Sequence, residues 1–261
     1  MAKFAVGKYV YVPSRLLPSP EKRDFALTRA KVQEQKARSV RLDIQDDVGN
    51  DIEIATKALH GDNLGITMLR IGDLSPSEDH ALDPLAKSTL HYLRLLLEPD
   101  AVRLREVRCS VEVQAVWREF ETRTSHVVII GHGRSDSIRL LDCTQPVGGK
   151  DFGDMLSDWS PTTSSKIFVS LTCLTGRAAF ARPFSESKVC SDYLAPFQSV
   201  HSAAASLFAQ SFFANHLLAG KGVVSAYGHA NRAVVAGVNF KLWRNGEQFV
   251  KKSLSVEGGG S

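Results

Sequence analysis

Four consecutive β-branched residues, Val127 to Ile130 within "HVVIIGHG" (126–133), constrain this 261-residue chain more than any other feature. A strand with one wet face alternates apolar and polar side chains, whereas a strand apolar at every position needs cover on both faces. A mainly parallel sheet flanked by helices supplies that cover. From residue 65 onward the chain keeps to this plan, with apolar strand-like runs alternating with helix-like ones. "ITMLRI" (66–71) reads as the first strand, and "LDPLAKSTLHYLRLLLEP" (82–99) carries Ala86, Leu90, Leu93 and Leu97 at helical spacing. "AVRLREVRC" (101–109) is the second strand, and Ser110 is expected to cap a helix over "VEVQAVWREF". "HVVIIGHG" is the third strand, "SIRLLD" (137–142) a short hairpin arm, "GKDFGDMLSDWS" a helix and "KIFVSLTC" (166–173) the fourth strand. An apolar helix over 202–219 stopped by Gly220, a fifth strand "GVVSAYGHA" (222–230) and a hairpin turn at Asn245-Gly246 complete the order.

Residues 1–64 read as an N-terminal extension: strands "KYVYV" and "VRLDI" around a helix that Ser19 caps and Pro20 opens. With only Phe25, Leu27 and Val32 as large apolar residues, that helix buries little and is expected to be an edge or docking element. The α/β domain then covers 65–256, and 257–261, ending in "GGGS", reads as a linker.

Composition sets limits on function. A net charge of +4 with no run of five Lys/Arg gives no stripe for nucleic acid. The most apolar stretch, Ser202 to Gly220, is interrupted by Ser206, Gln210, Ser211, Asn215 and His216, which argues against a membrane span. The N-terminus lacks a secretion-signal pattern, and Cys109, Cys143, Cys173 and Cys190 form no CxxC pair. A cytoplasmic protein with free thiols is expected. No HxxxH, HExxH or CxxC spacing marks a metal site, so no metal is expected, and the family resemblance given below implies no organic cofactor either.

In parallel sheets, sites form where strands deliver residues at their carboxyl ends. His132 and Cys173 both stand at such ends, and neighbouring third and fourth strands would bring them to one rim. A cysteine thiol is mostly protonated at neutral pH and needs a base to act as a nucleophile; an imidazole can serve, and can then protonate a leaving amine. Gly133, free of a side chain, could offer its N–H to a tetrahedral oxyanion together with the N–H of Cys173. Gly131 and Gly176 would let the adjoining loops turn tightly beside a bound peptide.

An apolar strand ending in His-Gly, followed about forty residues later by one ending in "LTCLTG", resembles the caspase-like cysteine peptidases, most closely the bacterial CHAT group. The element order from Ile66 to Tyr227 and the helix "ASLFAQSFFANHLLAGKGVVSAYG" add to the resemblance, which covers about three quarters of the chain and leaves out 1–64. It implies a three-layer sandwich and a cysteine endopeptidase that cuts selected protein targets through an acyl-enzyme, with His132 and Cys173 as catalytic pair. Control by a regulatory protein subunit or domain in stress or antiviral defence is implied as well. It also implies a substrate pocket shaped by Ser170, Leu171, Thr172, Ser225, Ala226, Tyr227 and Gly228, with Asp136 as an alternative acid. Leu171 stands where relatives that cut after basic residues carry an aspartate. The aperiodic segment 174–200 would frame the cleft and be mobile at rest.

Three rival readings stand beside this one. A catalytically silent interaction module, with Cys173 merely packed, would have the same fold. An α/β-hydrolase needs a G-x-S-x-G-like elbow and its nucleophile ahead of its histidine, but Leu171 takes the glycine place and the order is reversed. A dinucleotide fold needs G-x-G-x-x-G, and "GHGRSD" lacks the third glycine.

Overall fold

The computed structural model describes residues 4–20, 23–44, 51–162 and 164–250. The expected linker 257–261 lies outside them.

In chain order, the first 61 residues contribute strands β1 (Tyr9–Pro13), β2 (Leu27–Gln35), β3 (Ser39–Asp43), β4 (Asp51–Ala55) and β5 (His60–Gly61). They pair antiparallel in the order β4-β3-β2-β1-β5. Val10, Val12, Ala30, Val32, Val40 and Leu42 form the dry face, a hydrophobic cluster of its own. The expected helix after Pro20 is therefore the strand β2. Its Ala30 and Val32 face inward while Arg29, Lys31 and Gln33 face out, the period-two alternation of a sheet wetted on one side. This sheet is fastened to the rest partly by Arg15, which donates to the carbonyls of Leu218 (2.8 Å) and Ala219 (2.7 Å).

The remainder continues as β6 (Ile66–Ile71), α1 (Pro76–Leu93), β7 (Val102–Val107), α2 (Ser110–Phe120), β8 (His126–Gly131), β9 (Ser137–Ile138), β10 (Val147–Gly148) and α3 (Gly149–Trp159). It ends with β11 (Lys166–Ser170), α4 (Ala178–Ser185), β12 (Cys190–Pro196), α5 (Ser202–Phe213), α6 (Val223–Ala233), β13 (Phe240–Arg244) and β14 (Glu247–Gln248). The central sheet runs β14-β13-β12-β11-β8-β6-β7, with β7, β6, β8, β11 and β12 parallel and the β13-β14 hairpin antiparallel at one edge. Alternate residues of each parallel strand feed two cores. Val128, Ile130 and Val169 pack under α1, α5 and α6, while Val127, Ile129 and Phe168 pack under α2, α3 and α4. The fold is thus mixed α/β, a mostly parallel sheet between helix layers, as the β-branched run requires.

Several expectations are corrected. The segment 222–230 is not the fifth strand: Gly222 caps α6 and the rest belongs to it, with Ala226 and Ala230, one helical turn apart, both buried. The fifth parallel strand is β12, which together with α4 occupies the stretch read as a mobile loop. Phe180, Ala181 and Phe184 of α4 and Tyr193, Leu194 and Ala195 of β12 are essentially inaccessible to solvent, so this segment is core. Ser110 opens α2 rather than capping it. Cys109 holds the cap position, and the N–H and hydroxyl of Ser110 both donate to Asp142. The apolar helix ends its α-helical part at Phe213, widens to a π-turn over Ala214–Leu218, and stops at Gly220 with φ +63°. The hairpin turn is as read, with Asn245 and Gly246 both at positive φ.

Candidate active site

Parallel pairing of β8 with β11 sets Ser170 opposite Ile129. His132 and Cys173 each stand three residues further along, so the two chain segments leave the sheet side by side at one rim. The approach is close: a Cβ on Gly133 would lie 2.5 Å from Thr172 Cγ2 and 2.9 Å from the carbonyl oxygen of Cys173. Glycine is needed there for packing alone.

The turn that carries the cysteine is internally tied. Ser170 Oγ lies 2.9 Å from Thr175 Oγ1 and accepts the N–H of Thr172, and the Thr175 hydroxyl donates to the Thr172 carbonyl at 2.9 Å. Ser170, Leu171 and Thr172 are therefore buried, Leu171 within the core, and form the floor of the turn rather than an open substrate surface. Leu174, next to the cysteine, adopts φ +65°, a left-handed conformation that bulky residues rarely hold. Cys173 is half-buried, and its sulfur accepts the N–H of Val200 at 3.4 Å and lies 3.7 Å from the Val200 carbonyl. Val200 acts through its main chain, which gives no residue-type signal in the sequence.

His132 is exposed and opens onto a cleft of about 510 Å³ built from the end of β6 (Ile71 to Asp73) and the segment from Gly133 to Pro146. Arg134, Arg139 and Cys143 also line it; Cys173 does not. The Cys143 thiol is pushed up by burial and by the neighbouring carboxylate of Asp142, which disfavours it as a competing nucleophile. Asp136 is exposed, accepts from Ser137 Oγ at 2.8 Å and is absent from the cleft lining.

The remaining expected pocket residues lie on α6 instead of a strand end. Ala226 is buried in the core and the Tyr227 hydroxyl donates to the Phe240 carbonyl at 2.9 Å, while Ser225 is exposed and Gly228 half-buried. Gly176 serves close packing, since a side chain there would run into the carbonyls of Ala195 and Pro196, and its own carbonyl accepts from Trp243 Nε1 at 3.0 Å. Gly131 likewise packs on the Ile71 carbonyl. Away from the rim, His60, His126 and His216 form a buried cluster, with ring centroids 5.6 Å apart for His60 and His216 and 5.2 Å for His126 and His216. No group of three or more His, Cys, Asp or Glu among the described residues is set to hold a metal ion.

No protein-family model matches the chain, and no curated protein matches it. Among solved structures it is similar to the X-ray structure of a secreted C11 cysteine protease from Bacteroides thetaiotaomicron in complex with an irreversible peptide inhibitor. The TM-score is 0.48 and the identity 7%, over 69% of this chain and 66% of that one, so the chain spans just under two thirds of that protein. A likeness that distant leaves the fold to be argued from the sheet order and the function from the rim. No helix among the described residues is long and apolar enough to cross a membrane.

Proposed function

We propose that the chain is a cysteine endopeptidase with Cys173 as nucleophile and His132 as its base, a caspase-like enzyme of the CHAT type. The observation that carries this reading is the side-by-side exit of the two strand ends, with Gly133 packed on the carbonyl of Cys173. In the reaction the Cys173 thiol gives its proton to His132 and the sulfur attacks the scissile carbonyl carbon. The resulting oxyanion takes N–H donors from Gly133 and Cys173. Collapse breaks the C–N bond as His132 returns the proton to the leaving amine, leaving a thioester. Water, deprotonated by His132, then releases the acid and restores the thiol. Every proton and electron pair in this cycle is held by the two side chains, the substrate and water. The free thiols fit a cytoplasmic setting, and a regulatory protein docked on residues 1–64 would give the control expected of a stress or antiviral peptidase.

A second reading, a catalytically silent interaction module, is favoured by one observation: the sulfur sits against the Val200 main chain and outside the cleft that His132 lines. Labelling of the native protein with an iodoacetamide probe separates the two. The peptidase reading expects fast, selective alkylation of Cys173 that His132→Ala suppresses. Labelling confined to Cys109 or Cys143, with Cys173 inert, would leave the module.

A further inference from the structure

At the end of the central sheet opposite to His132 and Cys173, where β6 and β7 begin, the chain carries another cavity, of about 540 Å³. Its walls come from both sheets. The N-terminal sheet and its exit supply Tyr11, Arg29 and Asp62; the edge of the central sheet supplies Glu98, Asp100, Arg103 at the start of β7 and Arg123 just ahead of β8. Three guanidinium groups therefore share the cavity with three carboxylates, but only one pair has joined: Arg29 holds Asp62 at 2.9 Å. Arg103, Arg123, Glu98 and Asp100 have no side-chain hydrogen bond or ion pair among the described residues.

Arg103 decides what the cavity is suited to. Its Nη1 is buried without an acceptor, a costly state for a charged donor. The side chain is also held in place. Its guanidinium carbon lies 5.1 Å from the centre of the buried Phe120 ring, and Gly65 packs so closely that a Cβ there would come within 3.2 Å of the same nitrogen and run into the Arg123 carbonyl. Burial lowers the Arg103 guanidinium, Asp100 acts the other way, and Arg123 adds like charge. Two cations that repel each other thus face one cavity, and one of them keeps a buried donor unmet.

We infer that this cavity binds a small zwitterion, a free amino acid or a dipeptide, with its carboxylate on Arg103 and Arg123 and its ammonium on Glu98 and Asp100. A carboxylate supplies the acceptor that the buried nitrogen lacks, stands between the two like charges, and suits the guanidinium fork. A simple anion would leave both acids without a cation, and a simple cation would leave Arg103 as it is. The volume is that of a small-molecule site and too small for a folded partner. This assignment does not rest on the peptidase reading, and a bound molecule would touch both sheets at once, fastening their junction by mass action.

The test is calorimetric titration of the full chain carrying Cys173→Ala, so that no peptide is cut, with free amino acids and with dipeptides such as Gly-Gly and Ala-Ala, offered singly. The expected result is saturable binding of at least one compound with a Kd below about 1 mM, together with a raised thermal midpoint. Which set binds separates the free amino acid from the peptide. N-acetylation and carboxyl amidation of that compound should each weaken binding by on the order of 10-fold or more, the worth of one charge-assisted contact. Arg123→Gln should do the same, and Glu98→Gln/Asp100→Asn should weaken the parent compound but not its N-acetyl form. These three residues are exposed, and an unchanged midpoint without ligand certifies the variants as folded. Arg103→Gln should abolish binding. Binding by neither set, acetate, inorganic phosphate or the N-acetyl form binding as tightly as the parent compound, or wild-type affinity in Arg123→Gln and in Glu98→Gln/Asp100→Asn would each overturn the assignment.

Discussion

Gly133→Ala is the sharpest perturbation of the rim, because alanine keeps the N–H and adds a single methyl. That methyl would sit 2.5 Å from Thr172 Cγ2, 2.9 Å from the Cys173 carbonyl oxygen and 2.9 Å from Thr175 Cγ2, three contacts all shorter than real methyl groups tolerate. Thr172 and Thr175 are buried and Thr175 is hydrogen-bonded within the turn, so the strain falls on the main chain. Overpacking of this kind costs about 1–3 kcal/mol. In a chain of this size each kcal/mol lowers the midpoint by about 2–4 °C, so calorimetry should record a fall of roughly 2–12 °C. If the rim is catalytic, turnover should fall as well, because the turn carrying Cys173 is pushed away from His132. Thr172→Ser and Thr175→Ser each remove one of the offending methyls, and in the Gly133→Ala background they should restore part of the loss. A Gly133→Ala chain with wild-type midpoint and no coupling to either serine variant would refute the claim that the two strand ends abut here.

The buried histidines predict acid sensitivity with a definite sign. Burial lowers His60 to about 4 and holds His126 well below the ordinary imidazole range, each further lowered by the charge of His216; Asp192 acts oppositely on His216, which burial also lowers. The folded state therefore binds fewer protons than the unfolded chain. Stability is complete above about pH 6.5 and is lost as pH falls towards 4, by about 1.4 kcal/mol per pH unit for each histidine. Urea unfolding at stepped pH should show His126→Phe with a shallower slope than wild type, and equal slopes would sink the account. At the opposite face of the problem, Lys166 and Glu121 form a fully buried ion pair at 2.8 Å. Lys166→Met should cost about 3–5 kcal/mol by leaving a carboxylate unpaired, and Lys166→Met/Glu121→Leu should recover most of it. A single variant no less stable than wild type in denaturant titration would contradict this.

The sheet was legible because its central strands are apolar on both faces and short runs of that kind have few alternatives. What escaped has physical causes. Helix α4 is short and carries Pro183, so its buried stripe of Phe180, Ala181 and Phe184 covers too few turns to show a period. Strand β12 carries Ser191 and Asp192 in its first half, a polar pair that makes sense only once Arg244, distant in sequence, donates to Asp192 at 2.6 Å. Helix α6 begins with two valines, which mimic a strand, while its buried face consists of alanines, which signal weakly. At the rim, the convergence of the two strand ends followed from the sheet plan. The sulfur's contact with Val200 did not, being made by main chain.

The apolar helix has a job at each end. Just before its first turn, Val200 holds the sulfur of Cys173; just past its π-turn, the carbonyls of Leu218 and Ala219 hold Arg15 of the N-terminal sheet. Its α-helical part alone is a stiff rod of about 18 Å, packed along its length by Phe208, Phe212 and Phe213. Such a rod transmits displacement instead of absorbing it. The N-terminal sheet and the thiol of Cys173 are thus tied to opposite ends of one helix.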